Sequence, residues 1–291
     1  MSSLLASLMF FTRLPWWRLF SVPKEAFEHV VDWWPLMGWL TGGVMALTFC
    51  LATLCGFTPA VAALLAIGAR LLLTGALHED GLADFCDGFG GGVTRERTLS
   101  IMKDSHIGTY GVIGLILYFA LLWTCLAEID HFPLSISHSP FDLRHSSFDL
   151  RHSSFDLRHS SFVIRHSTFV ISIILLFDVT AKCAASMITG QLPYARTAAG
   201  AKNQVVYEGR TPRQWVTHAL RCTLALALPI FLVSLAGIPQ VLLLLPIPFV
   251  VEFLLVCWMR SRLGGYTGDC CGALFLLCEL SLYLALPLLL R

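Results

Sequence analysis

The residues with the clearest capacity for chemistry lie in one acidic stretch, HEDGLADFCDGFGGG, which runs from residue 78 to residue 92. Glu79, Asp80, Asp84 and Asp87 place four carboxylates within nine residues. In a helix, the spacings of four and three residues would bring Asp80, Asp84 and Asp87 to one face. Carboxylates stacked in this way repel one another, so the pattern favours a bound cation. Oxygen ligands without clustered His or Cys predict a hard ion, Mg²⁺ or alternatively Mn²⁺.

The glycines and cations that follow are candidate phosphate contacts. The glycines of residues 88–92 could let backbone N–H groups approach an anion, although a flexible hinge explains them equally well. We single out Gly90 and Gly91 as substrate-binding candidates. Arg97 and Lys103 follow in TRERTLSIMKDS, and cations beside a carboxylate–metal cluster suit phosphate recognition. The alternative is that they only anchor the polar side of the chain.

Further polar candidates lie just beyond this stretch and in two later segments. Asp104 could be another metal ligand or a helix cap, and His106 could accept a proton. Arg196 and Thr267 lie in the later segments and are candidate substrate contacts. Asp269 directly precedes an apolar run, so it is either a helix N-cap or a fifth carboxylate of the site.

The composition predicts that all these residues belong to an integral membrane protein. Of the 291 residues, 56% are hydrophobic and 13% are charged, and the mean hydropathy is +0.71. A soluble domain is about 25% charged, and one this apolar would expose large apolar patches to water. The formal net charge of +1 gives no argument for nucleic-acid binding. We therefore predict an all-α, polytopic helical membrane protein that forms one domain over residues 1–291.

Apolar runs of about 20 residues predict about seven transmembrane helices. The segments between them that carry most of the Lys and Arg would then share one side, which the positive-inside tendency makes cytoplasmic. The candidate residues thus lie in polar catalytic loops on that side. The alternative for the carboxylates is a solvated acidic cap at the membrane interface. The predicted spans are residues 34–55, 59–77, 109–129, 169–188, 216–236, 241–259 and 272–290.

One loop on the opposite side contains a seven-residue repeat. Residues 141–168 read FDLRHSS three times and then FVIRHST. The regularly spaced histidines could bind a metal. We favour a low-complexity insertion without a catalytic role, because surface loops tolerate insertions at small cost and near-identical copies indicate recent duplication.

The motifs together resemble the cobalamin synthase family, whose activity is adenosylcobinamide-GDP ribazoletransferase. The stretches that carry the resemblance run in the family's order and cover almost the whole chain apart from the repeat. They are FFTRLP from residue 10, HEDGLADFCDGFGGG from residue 78, IMKDSHIGTYGV from residue 101, LPYAR from residue 192 and LGGYTGDCCGALFLLCEL from residue 263.

The resemblance implies the last joining step of the nucleotide loop in vitamin B12 biosynthesis. The substrates would be adenosylcobinamide-GDP and α-ribazole, or α-ribazole 5′-phosphate, and the products adenosylcobalamin, or its 5′-phosphate, and GMP. It also implies Mg²⁺ as cofactor, a bacterial inner membrane location, and other corrinoid-assembly enzymes as candidate partners. The predicted metal ligands are Glu79, Asp80, Asp84, Asp87, Asp104 and Asp269. The predicted catalytic residues are Asp84, Asp87, Lys103 and His106, and the predicted substrate contacts are Gly90, Gly91, Arg97, Arg196 and Thr267.

Two other functions remain as alternatives. A CDP-alcohol phosphatidyltransferase-like lipid enzyme would also use spaced aspartates, but its usual Ala-Arg after the first Asp-Gly is missing after Asp87-Gly88. A transporter would place ionisable residues within its spans and show an internal repeat of spans. We find only Asp178, Lys182 and Glu279 at such depth.

Overall fold

Helices form the regular structure of the chain. The computed structural model describes residues 2–129, 157–195 and 209–290, with side chains from residue 167 onward in the second range. Within these ranges the one β-type pairing is an isolated bridge between Tyr194 and Tyr266. The α-helices are α1 (Ser2–Phe11), α2 (Trp34–Leu54), α3 (Pro59–Thr74), α4 (Leu77–Gly91), α5 (Arg95–Ile101), α6 (Thr109–Glu128), α7 (Leu157–Ala185), α8 (Ile188–Gln191), α9 (Pro212–Leu235), α10 (Ile247–Leu263) and α11 (Gly268–Leu290).

The prediction of a polytopic helical membrane protein is confirmed. Among the described residues, six helical stretches are long and apolar enough to cross a bilayer, and the bent pair α3–α4 would make a seventh. Large apolar side chains such as Leu72, Phe231 and Leu288 point outward, as expected when lipid surrounds the bundle. The stretch that includes α7 is the most deeply buried of the six, so it lies at the centre.

The predicted span at residues 59–77 is interrupted by a sharp bend. Helix α3 ends at Thr74, and α4 leaves it at an angle of 91°. Gly75 and Ala76 make the bend by taking left-handed conformations with φ of 66° and 55°. Their N–H groups both donate to Leu71 O, at 2.7 and 3.1 Å, so the two residues that make the break have partners for their amides.

The acidic stretch therefore forms helix α4, which packs between α6 and α11. Glycines allow the contact with α11 to be close. A Cβ atom on Gly81 would lie 3.0 Å from Asp269 O, and one on Gly272 would lie 2.9 Å from His78 O. Small residues of this kind let membrane helices approach backbone to backbone. The contact holds α4 against the first turns of α11.

The last part of the repeat is helical, whereas the sequence predicted a loop there. Helix α7 begins at Leu157, so residues 157–168 extend the predicted fourth span. The remainder of the repeat, residues 141–156, lies outside the described residues.

We predict that Gly75→Ala weakens the bend. A Cβ atom there would lie 2.1 Å from Arg13 Nε, and a left-handed alanine costs about 1–2 kcal/mol. The thermal unfolding midpoint of the detergent-solubilised protein should therefore fall. Gly68→Ala on α3 is the matched control, since a Cβ atom there meets nothing within 4 Å. A Gly75→Ala midpoint equal to that of Gly68→Ala would contradict the role of the bend.

Candidate active site

The predicted polar segments between the spans meet on one side of the bundle. The segment after α8 pairs with the segment before α11, because Ala195 N donates to Tyr266 O (2.8 Å) and Tyr266 N donates to Pro193 O (3.0 Å). This contact needs Gly265, where a Cβ atom would lie 2.5 Å from Pro193 O. Residues more than seventy positions apart in sequence thus form one surface.

Two arginines connect the segment after α4 to the same surface. Arg95 donates from Nε to Leu263 O (2.7 Å) and from Nη2 to Ala195 O (3.0 Å). Arg262 donates to the carbonyl oxygen of Gly92. The three polar segments therefore lie on one side, as the distribution of Lys and Arg predicted. Arg95 acts in this arrangement as a connection between segments.

Carboxylates from α4 and α11 lie near the contact between these two helices. The contact at Gly81 places the first turn of α11, with Asp269, against the part of α4 that carries Glu79, Asp80 and Asp84. Asp80 is exposed, Asp84 is half-buried, and Glu79 and Asp269 are buried. Carboxylates therefore lie on both sides of one helix contact.

Thr267 and Asp269 form the start of α11. The Thr267 hydroxyl donates to Asp269 Oδ2 (3.3 Å) and accepts from Cys270 N (3.4 Å). Thr267 thus performs the N-terminal capping that was one of the two alternatives for Asp269. Its hydroxyl is fully buried, so the structure shows it orienting the Asp269 carboxylate.

Asp87 lies on the same face of helix α4 as Asp80 and Asp84, as predicted, but its carboxylate binds the start of α6. Its buried carboxylate accepts from Gly108 N (2.7 Å) and Gly111 N (2.8 Å) at the start of α6. A carboxylate at this end of a helix satisfies unpaired N–H groups and opposes the positive end of the helix dipole. Asp87 therefore fastens α6 to α4, which the spacing of the aspartates alone could not reveal.

The predicted backbone cradle at the glycine run is not formed. Gly90 and Gly91 belong to the last turn of α4, and Gly92 N donates to Gly88 O (2.9 Å). The C-terminal end of a helix presents carbonyl oxygens, which repel an anion. The glycines make room for neighbours: a Cβ atom on Gly90 would lie 2.6 Å from the Tyr110 ring.

The candidate acid–base and phosphate-binding side chains lie on the open surface between α5 and α6. Arg97, Lys103, Asp104 and His106 are all exposed. Asp104 Oδ1 is 2.7 Å from His106 Nδ1 and accepts from His106 N at 3.0 Å. The hydrogen bond from the His106 side chain lowers the pKa of the Asp104 carboxyl. Asp104 therefore orients the imidazole. The remaining predicted substrate contact, Arg196, lies outside the described residues.

The donor set fits a hard divalent cation that is completed by a substrate. Glu79 Oε2 is buried and has no hydrogen-bond partner within the described part of the chain. In the same part, no three His, Cys, Asp or Glu side chains already converge at metal-binding distance. Mg²⁺ typically takes one or two carboxylates and completes its shell with water and phosphate oxygens. Glu79, Asp80, Asp84 and Asp269 suit that requirement.

Comparison with known proteins identifies the family. The chain matches the family described as cobalamin-5-phosphate synthase over residues 3–147 and 155–287. The chain belongs to this family. The match omits only residues 148–154 between its two parts, which are one unit of the repeat. The cobalamin synthase resemblance of the motifs is thereby confirmed, and the chain is a transferase of cobalamin biosynthesis.

Two named relatives cover nearly the whole chain, and a third matches about a third of it. An adenosylcobinamide-GDP ribazoletransferase of Shewanella amazonensis is 33% identical over 98% of this chain and 94% of its own length. One of Vibrio parahaemolyticus is 30% identical over 98% and 92%. One of Bradyrhizobium diazoefficiens is 58% identical over 33% of this chain and 36% of its own length. No solved structure matches the chain.

We predict that Asp87→Asn lowers the stability of the protein, whereas Asp80→Asn lowers its activity and leaves its stability unchanged. An amide at position 87 presents an N–H group to N–H donors of α6, so the free energy of unfolding should fall by about 1–3 kcal/mol. Asp80→Asn changes an exposed side chain and should unfold at the wild-type midpoint while losing activity. Thermal unfolding and an activity assay on both variants decide this. An Asp87→Asn protein as stable as Asp80→Asn would contradict the capping role.

Proposed function

We propose that the chain joins adenosylcobinamide-GDP to α-ribazole, or to α-ribazole 5′-phosphate, in a Mg²⁺-dependent reaction. The products are adenosylcobalamin, or its 5′-phosphate, and GMP. The names of the full-length relatives support the substrates. The structural observation that carries the proposal is the contact of α4 with α11, which brings carboxylates of both helices together on the polar side of a membrane bundle.

The carboxylates of α4 and α11 hold the metal in this proposal. One or two of the carboxylates of Glu79, Asp80, Asp84 and Asp269 would supply the protein oxygens, and the ion would neutralise the diphosphate charge. Asp87 holds the start of α6 against the acidic helix, so its catalytic effect is indirect. Thr267 keeps the Asp269 carboxylate oriented through its 3.3 Å hydrogen bond.

The base that accepts the hydroxyl proton lies in the exposed segment between α5 and α6. A hydroxyl oxygen of the ribazole attacks the phosphorus that carries the cobinamide, the P–O bond to GMP breaks, and the hydroxyl proton goes to a base. His106 suits this role because Asp104 binds Nδ1, which favours the tautomer with an acceptor at Nε2. Gly108, two residues later, is bound to Asp87, so His106 lies in a segment anchored to α4. Arg97 and Lys103 are exposed cations that can contact phosphates.

The membrane position follows the charge distribution. We place the polar side at the cytoplasmic face of the bacterial inner membrane, because Lys and Arg gather there. A corrinoid substrate could then reach the site from the cytoplasm, and contact with other corrinoid-assembly enzymes would occur on the same face.

The test is release of GMP from adenosylcobinamide-GDP by protein purified in detergent. We expect release that requires both α-ribazole and Mg²⁺ and stops with EDTA, and that is lost in Asp80→Asn. Release in EDTA would contradict the metal assignment. A folded wild-type protein that releases no GMP, but transfers a phosphatidyl group from a CDP-linked lipid, would replace the proposed function by the lipid reaction.

A further inference from the structure

A network of buried charges lies inside the helix bundle, next to the buried side of α4, where Arg70 is within electrostatic range of Glu79. Arg70 on α3 donates from Nη1 to both oxygens of Glu279 on α11, at 2.6 and 2.8 Å. Its Nη2 atom donates to the hydroxyl of Tyr118 on α6 at 2.7 Å. The side chains of Arg70 and Glu279 are 2% and 0% exposed, so the pair is almost fully shielded from solvent.

A second pair adjoins the first. Asp178 and Lys182 on α7 pair with each other, as their spacing allowed, and Lys182 Nζ also donates to Thr41 Oγ1 on α2 (2.9 Å). Arg70 Nη1 is 4.0 Å from Asp178 Oδ2. The network thus joins α2, α3, α6, α7 and α11 through two cations and two anions, and Glu79 of α4 is a further buried carboxylate near Arg70.

The position of the Arg70–Glu279 pair relates it to the acidic helix. Arg70 lies one turn before the end of α3, where Thr74 Oγ1 donates to Arg70 O (3.0 Å) and the bend to α4 follows. Glu279 lies seven residues after Gly272 on α11, so both residues share one face of that helix. Gly272 contacts α4 through His78.

Helix α11 therefore holds both arms of the bend at two points. Seven residues of helix separate those points by roughly 10 Å. One point fixes α3 through Arg70–Glu279, and the other fixes α4 through Gly272–His78. These two contacts on one helix, together with the packing of α6 against both arms, constrain how α4 lies relative to α3, and hence where its carboxylates stand beside Asp269.

We propose that the Arg70–Glu279 pair is a positioning device that sets the angle of the acidic helix for the transfer reaction. Arg70 and Glu279 are positioning residues, since they act through α3, α11 and the bend. This role rests on the proposed function for its kinetic consequence, whereas the angle itself is a property of the fold. Simple stabilisation of the bundle is the competing explanation.

Paired removal of the charges separates the two explanations. Removing one partner leaves an unpaired buried charge and is strongly destabilising, whereas replacing both partners by uncharged side chains often restores stability. Arg70→Met should therefore lower the unfolding midpoint, and the double variant Arg70→Met with Glu279→Gln should recover most of it. If the pair sets the angle, kcat should stay low in the recovered double variant, because a displacement of about 1 Å can cost about a hundredfold.

The experiment measures three quantities on wild type, Arg70→Met, Glu279→Gln and the double variant. They are the unfolding midpoint, kcat and KM for GMP release, and the distance between spin labels at Leu64→Cys on α3 and Val93→Cys after α4. Both label sites are exposed, and exposed Cys55 and Cys257 are first replaced by Ser. Glu252→Gln on α10 is the control, because it removes a buried carboxylate outside the network.

We expect a shifted or broadened label distance and a tenfold to hundredfold lower kcat in the double variant, with KM nearly unchanged and the midpoint largely recovered. Glu279→Gln should change kcat and the label distance in the same direction, so this single variant provides the test if the double variant does not fold. Wild-type kcat or wild-type label distance in a folded variant, or equal effects of Glu252→Gln, would overturn the proposal. A wild-type protein with a narrow label distance and no GMP release would refute the transferase assignment alone.

Discussion

Helix α4 lies so close to α11 that neither Gly81 nor Gly272 has room for a side chain, and the candidate site depends on this contact. A methyl group on either glycine would lie within about 3.0 Å of backbone on the opposite helix, so it would push the helices apart. The contact explains how carboxylates from sequence positions near 80 and near 269 can serve one substrate. It also explains why α4, which is too polar to be a span, is buried at its inner face: α11 and α6 cover it.

The bend before α4 is compatible with this contact because the chain satisfies its own backbone groups there. Left-handed Gly75 and Ala76 donate to Leu71, and Arg13 N donates to Leu73 O (2.7 Å). In an apolar medium an unsatisfied amide costs several kcal/mol, so a break without these partners would not persist. The buried pair of Arg70 and Glu279 then adds a second point of attachment on α11. The acidic helix α4, the bend before it and the last helix α11 are thus held together as one structural unit.

Hydropathy and charge predicted most of the fold, because lipid requires long apolar helices and places Lys and Arg on one side. The aspartate spacing likewise predicted an acidic helix. Three features needed the structure. The capping by Asp87 depends on α6, which sequence spacing cannot locate. The glycines of residues 88–92 resemble a phosphate loop, yet they allow close packing within and around a helix. Arg70 was missed although its signal, one cation inside an otherwise apolar run, was visible; its partner Glu279 is 209 residues away.

The central claim is that α4 and α11 contribute carboxylates to one reaction centre, and a double-mutant cycle tests it most directly. GMP release is measured for Asp80→Asn, Asp269→Asn and the double variant, with folding checked by thermal unfolding. If both carboxylates act on the same bound group, their effects on kcat/KM are strongly non-additive, as for residues that work as a unit. The double variant should then be scarcely worse than the worse single variant. Losses that multiply in the double variant would show that the two carboxylates act independently and would contradict the account.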